Sequence, residues 1–267
     1  MPTDDDTGRG SHFVQSLERG LLVIRAFSAQ RPSMTLSEVA RETDLTRAAA
    51  RRFLLTLGDL GYVRTDGRLF SLTPRVLELG YAYVASAGLP DVAQPHLEDL
   101  SARVRESASV SVLEGDDVLY VARVATSRIM AVAITVGTRF PASATSMGRV
   151  LLAGLDDAGL DAYLDRVKLE PLTRFTITDP AELRAEILRV RERGYCIVDQ
   201  ELEEGLRSLA APIRDASGRV IAATNVSAHA NRSSNEDIRR DLLPVLLETT
   251  ARIEADLASV SRRDTGT

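Results

Sequence analysis

The sequence predicts two modules of different class: a small, mainly helical winged helix-turn-helix at the N-terminus, then a larger α+β module reached through a helical linker. Three observations predict this. Up to residue 73 the order of segments is helix, short helix, turn, helix, two-stranded ribbon. Beyond residue 107, strands interleave with helices and are joined in part by hairpin turns, the mark of a mostly antiparallel sheet. Charge divides at the same place. Residues 9–75 carry 11 arginines against 6 acids, a net of +5, while residues 76–267 carry 22 basic residues against 29 acids, a net of -7. The expected division is an acidic disordered tail over 1–10, the winged module over 11–73, a linker helix over 74–90, the larger module over 91–262 and a disordered tail over 263–267.

Each element of the first module has a local reason. Leu17, Leu21, Ile24 and Phe27 recur at helical spacing across Ser16–Ser28. Thr35 followed by Glu38 has the spacing of a capping box, which starts a short second helix with Leu36, Val39 and Ala40 inward. A turn over Glu42–Leu45 follows, and Thr46 caps a third helix that runs to Leu60, where Gly61 stops it. Asp66-Gly67 is a hairpin signal between Tyr62–Arg64 and Arg68–Leu72.

The third helix carries the chemistry. Ala49, Ala50, Phe53, Leu54, Leu57 and Leu60 share one arc and predict the packed face. Arg47, Ala48, Arg51 and Arg52 share the opposite arc. A helix that reads a major groove needs that division: small residues for close approach, and long donors for bases and phosphates. Arg47 or Arg51 suits a guanine edge and Arg52 a phosphate. Thr35, Ser37 and Thr46, at helix starts, suit phosphate oxygens, and Arg68 at the wing tip suits a minor groove or backbone. Double-stranded DNA is the expected partner.

The whole-chain balance of 33 basic against 38 acidic residues, net -5, would by itself argue against nucleic acid; the local +5 reverses that. One cysteine, Cys196, excludes an internal disulfide and a multi-cysteine zinc site. No apolar run approaches a membrane span, and the first eleven residues have no apolar signal core, so a soluble cytoplasmic protein is expected, without membrane contact. The three histidines, at 12, 96 and 229, have no metal-ligand spacing, and no cofactor is implied. Ala144–Gly148 is one substitution from a nucleophile elbow, with His229 downstream, which makes a hydrolase using Ser146 the rival reading. Phe140–Ser143 is a poor strand to precede such an elbow, so no enzyme is expected.

In the larger module, helices are expected over Arg75–Ala87, stopped by Gly88-Leu89-Pro90, and over Val92–Glu106. Strands follow at Ser109–Val112, Val118–Val124 and Met130–Val136, and helices at Ser146–Gly154, Leu160–Val167 and Ala181–Arg193. Strands at Tyr195–Val198, Leu206–Arg214 and Arg219–Ser227 precede a long helix over Asn235–Val260. Period two puts Asn225 and Ser227 on one face with Ile221 and Ala223, with Ser208 on the partner strand. Thr145, Ser146 and Met147 lead into a helix start, where free N–H groups favour an anion. Arg128 and Arg139 are further candidates to meet a carboxylate, although a place on the surface is the expectation favoured for both.

The stretches "LERGLLVIRAFS…TLSEVARETDLTRAAARRFLLTLGDLGYV", "FPASATSMGRVLLA" and "GYCIVDQELEEGLRSLAAPIRDASGRVIAATNVS" together resemble the IclR family of bacterial transcriptional regulators. The resemblance implies a GAF-like effector-binding domain, a curved sheet flanked by helices with a small-molecule pocket on one face. It implies effector contacts at Thr145, Ser146, Met147, Gly148, Ser208, Asn225 and Ser227. Ser208 and Asn225 stand where the family often has cysteine and serine. The wording is most similar to the subgroup that controls aromatic-acid catabolism through the β-ketoadipate pathway. That implies protocatechuate, 4-hydroxybenzoate or β-ketoadipate as effector, with another small organic acid as the alternative. It further implies operator DNA as target, a homodimer or tetramer, and RNA polymerase as a possible partner.

Overall fold

The computed structural model describes residues 13–28, 31–76, 79, 88–126 and 134–264, the last five by their backbone. The chain divides into two compact units, Met1–Ser86 and Ala87–Thr267. The expected tail over 1–10 lies outside the described residues.

The first unit contains α1 (Gln15–Arg25), β1 (Ser33–Thr35), α2 (Leu36–Glu42), α3 (Arg47–Asp59), β2 (Val63–Thr65) and β3 (Leu69–Leu72). Thr35 and Glu38 form the capping box: the Thr35 hydroxyl accepts from Glu38 N–H, and the Glu38 carboxylate accepts from Thr35 N–H at 2.7 Å. Thr46 caps α3 by accepting from Ala49 N–H at 3.2 Å. Val23, Met34, Val39, Ala50, Leu54, Leu57 and Val63 are buried together, so one face of each helix meets a common core. Leu60 departs from expectation. It is the C-cap of α3 and half exposed, because the helix ends before its side chain can turn inward. The wing is a three-stranded antiparallel sheet in the order β1-β3-β2, not the two-stranded ribbon expected. Ser33–Thr35 is too short to show a strand period and is recruited only by pairing with Leu69–Ser71.

In the second unit, Gly88 at φ +57 caps α4 (Leu89–Val104), and Pro90 sits in its first turn. Leu89-Pro90 therefore begins a helix instead of ending one, as proline's fixed φ permits. Of the expected linker helix, Pro74–Val76 is a single 3-10 turn and most of the remainder lies outside the described residues.

Then come β4 (Ser107–Glu114), β5 (Asp117–Val124), β6 (Arg139–Pro141), α5 (Ser146–Ala153), α6 (Asp157–Arg166) and α7 (Pro180–Arg193). The chain continues through β7 (Cys196–Asp199), β8 (Leu206–Arg214), β9 (Val220–His229) and α8 (Asn235–Asp237). A π turn over Ile238–Leu242 and α9 (Leu243–Asp264) follow. The last helix includes residues 263 and 264, which the sequence assigned to a tail. Of the expected strand over Met130–Val136, residues 127–133 lie outside the described residues and Ile134–Val136 is not strand. Phe140-Pro141, the poor strand candidate, pairs with Asp117 and Val118 instead.

Among the described residues the sheet has six strands in the order β6-β5-β4-β9-β8-β7, with every neighbour antiparallel. One face packs on α4 and α9 through Leu97, Leu100, Val110, Leu209, Leu246 and Ile253. The other packs on α5, α6 and α7 through Tyr120, Met147, Leu152, Tyr163, Leu183 and Ile187. Bulges interrupt two strands, one in β5 opposite Val110/Ser111 and one in β9 opposite Ile213/Arg214. The second skips Ile221 and turns it to the α4/α9 face, while Ala223 stays on the α5 face. The expected common face of Ile221 with Asn225 is thereby broken, since one extra residue inverts the alternation. Among the described residues no helix is long and apolar enough to cross a membrane.

Candidate functional site

Two sites emerge, one in each unit. In the first unit, Ser37, Arg47, Arg51, Leu55, Gly67 and Arg68 line a groove of about 560 Å³ between the start of α2, the outer face of α3 and the wing. Arg47, Arg51 and Leu55 lie four residues apart on α3 and so form one stripe. Arg47, Ala48, Arg51, Arg52 and Arg68 are all exposed, and among the described residues none of these arginines is held by an ion pair. Thr46 has its hydroxyl hydrogen free to donate, since it only accepts from the helix. Thr35 differs. Its hydroxyl hydrogen goes to the Glu38 carboxylate at 2.8 Å, so it cannot also serve a phosphate oxygen without opening the capping box. These same bonds hold the Glu38 carboxyl below its ordinary pKa. At the wing tip the Asp66 carboxylate accepts from the backbone N–H of Arg68 at 2.9 Å and Leu69 at 2.7 Å, which lowers its pKa. Gly67 supplies the φ of +98 that the tight turn requires. Arg68 is therefore held out from a rigid tip.

In the second unit a cavity opens between the sheet and the start of α5. Thr145, Ser146, Met147, Ser208, Asn225 and Ser227 line it, and the wall is completed by Tyr120, Ile134, Ala144, Val198, Leu202 and Leu206. Polar groups within it form one chain. Ser146 and Ser208 hydroxyl oxygens are 2.7 Å apart, and the Asn225 amide donates to Ser208 at 3.0 Å and to Ser227 at 3.1 Å. Asn225 Oδ1 is buried and has no partner, so the chain ends in an acceptor that a ligand's hydroxyl can satisfy. Tyr120 packs edge-on against Phe140 with centroids 5.8 Å apart, and burial pushes its hydroxyl up to about 12. The open space is about 20 Å³, the volume of one water position. The cavity is closed.

Seven residues were expected at this cavity and six line it. Gly148 does not: its N–H is taken by the Thr145 hydroxyl at 3.0 Å, and an added Cβ would collide with the Ala142 carbonyl. It is the glycine that lets α5 lie against the preceding loop. Tyr120, Val198, Leu202 and Leu206 went unassigned, because apolar residues at strand spacing look like any core. Arg139 is paired with Asp117 at the surface, and Arg128 lies outside the described residues. Below the cavity, Arg149 on α5 makes a buried bidentate pair with Glu201, at 2.7 and 2.5 Å, which anchors the loop that carries Leu202. Nothing local announces it, for the partners are 52 residues apart.

The rival hydrolase is not built. Ser146 Oγ meets another serine, and His229 Nδ1 accepts from Asn231 N–H. A nucleophile needs a base within hydrogen-bond reach. Among the described residues no cluster of three or more His, Cys, Asp or Glu side chains could hold a metal ion.

The chain matches the IclR helix-turn-helix domain over residues 16–67 and the C-terminal domain of bacterial IclR transcriptional regulators over residues 81–255. It is similar to the Pca regulon regulatory protein of Pseudomonas putida, 50% identical over 236 residues, which covers 88% of this chain and 81% of that one. Among solved structures, a transcriptional regulator from Rhodococcus sp. RHA1 is 62% identical with a TM-score of 0.84, covering 93% of this chain and all of that one. An IclR homolog from Microbacterium hydrocarbonoxydans complexed with 4-hydroxybenzoate is 28% identical with a TM-score of 0.82, over 91% and 99% of the two chains. A winged module with unpaired arginines on its outer helix, a sheet with a closed polar cavity and these matches along both units have one reading: the chain belongs to the IclR family of bacterial DNA-binding transcriptional regulators.

Proposed function

We propose that this regulator controls aromatic-acid catabolism, and that a hydroxylated aromatic carboxylate of the 4-hydroxybenzoate or protocatechuate kind is its effector. The observation that carries the reading is the Ser146–Ser208–Asn225–Ser227 chain ending in the orphaned Asn225 acceptor, in a cavity that Tyr120 also lines. A phenolic hydroxyl donates to Asn225 Oδ1, and the ring lies against the apolar wall. The likeness to a Pca regulon regulator and to a homolog complexed with 4-hydroxybenzoate supports it. Residues 11–73 bind operator DNA in the cytoplasm, with Arg47 and Arg51 at base edges and Ser37, Thr46, Arg52 and Arg68 at the backbone; residues 91–262 bind the effector.

The protein acts as a homo-oligomer on a two-fold operator. Val14, Leu17 and Leu21, exposed along one side of α1, suit pairing with a second copy. Effector binding shifts operator affinity because the two conformations hold it unequally. Thermal-shift titration tests the effector reading. 4-Hydroxybenzoate or protocatechuate raises the melting temperature of the wild type, and Asn225→Ala and Ser227→Ala weaken that shift while apo operator binding stays normal. No shift with any aromatic acid would sink it.

A further inference from the structure

The polar row across the sheet continues past the cavity wall. Arg123 of β5 pairs in register with Ser109 of β4, and Ser109 pairs with Asn225 of β9. Residues opposite one another on antiparallel neighbours point to the same face, so Arg123, Ser109 and Asn225 form one row on the cavity side. Arg123 Nη1 donates to the fully buried Ser109 hydroxyl at 3.0 Å, which holds the guanidinium over that face.

Two features of Arg123 ask for an anion. Its Nε is buried without an acceptor. Among the described residues it pairs with no carboxylate, whereas Arg103, Arg139, Arg149, Arg166 and Arg207 each hold one. The ionisable neighbour that acts on it is the Tyr120 hydroxyl, and burial lowers its pKa. A half-buried cation with an orphaned donor is costly until an anion meets it. The cavity's own hydroxyls and amide are neutral and give no strong preference for an acid over its uncharged analogue.

We infer that Arg123 is the counter-charge for the effector's carboxylate, reached when the closed cavity opens along the Asn225–Ser109–Arg123 row. This rests on reading the cavity as an aromatic-acid site, and adds the group that selects the charged form. The ends of the row are two strand spacings apart, about 10 Å, a gap that the arginine side chain and one aromatic ring fill together. The ligand's hydroxyl meets Asn225 and its carboxylate meets the guanidinium.

Calorimetric titration of the full chain with 4-hydroxybenzoate and with uncharged 4-hydroxybenzamide tests this. The wild type prefers the acid, and Arg123→Gln weakens acid binding by about tenfold or more while amide binding changes little. Asn225→Ala weakens both ligands alike. Where Arg123→Gln fails to fold, the wild type still decides: the Arg123 Nε resonance shifts on adding the acid and not the amide. An unchanged acid-to-amide ratio in Arg123→Gln, or bound acid with no Nε shift, overturns the role of Arg123 and leaves the cavity reading standing. A wild type that binds neither compound overturns both.

Discussion

Arg149 is 2% exposed and its guanidinium is fully partnered: Glu201 meets two of its nitrogens and the Ser143 carbonyl accepts from Nε at 2.8 Å. Glu201 in turn accepts from Ile177 N–H, so one carboxylate ties together α5, the loop before α7 and the loop after β7. Glu201→Ala strands a buried guanidinium and lowers stability by about 3–5 kcal/mol in denaturant unfolding. The double change of Arg149→Met with Glu201→Leu costs less, since no buried charge is left unpaired. Cys196 makes a second case. Burial pushes its thiol up to about 11, above that of an exposed thiol, so the unfolded chain loses this proton first as pH rises. Its contribution to stability is intact below about pH 8.5 and is lost as pH climbs towards 11. A thiol reagent at pH 8 therefore modifies the native protein only as fast as it opens. Neither property is legible from the residues alone: Arg149 looks like one more helix-surface charge, and Cys196 reveals its inertness only through burial.

At the scale of elements, α3 is the segment where sequence and structure agree most closely. Its cap, its inward Ala50, Leu54 and Leu57, and its outward arginines follow from helical period, which depends only on neighbours along the chain. Arg47→Ala or Arg51→Ala costs about 1–3 kcal/mol of operator affinity and relaxes base preference, checked by anisotropy against a panel of operator variants. The wing behaves differently. Asp66→Ala removes the acceptor that fixes its tip, so affinity falls several-fold across all variants with base preference retained. Strands were harder to read. Period two located β8 with the same ends, yet failed for Ile221, because a bulge depends on the partner strand. β1 was invisible for a similar reason, its three residues being strand only by virtue of β3. The cavity followed suit. Its hydroxyls and amide were legible as small polar residues in apolar surroundings, whereas Tyr120 enters it, and Arg123 joins the polar row beyond its wall, through a register that no local pattern encodes.

For the whole molecule, the net -5 is a sum of opposites, and only the basic segment 9–75 is matched to phosphate. Operator affinity falls linearly with salt on logarithmic axes, with a slope near -0.9 for each phosphate neutralised. Arg52→Ala and Arg68→Ala each make that slope shallower by about one, whereas Asn225→Ala leaves it unchanged. Titrations at several salt concentrations read this directly. The closed cavity has a consequence in time as well as in affinity. With space for about one water position, no aromatic acid fits the cavity as it stands; its walls must first move apart. Occupancy is then gated: the observed association rate rises with ligand concentration and levels off at the opening rate, and any change that loosens the gate speeds arrival and departure together.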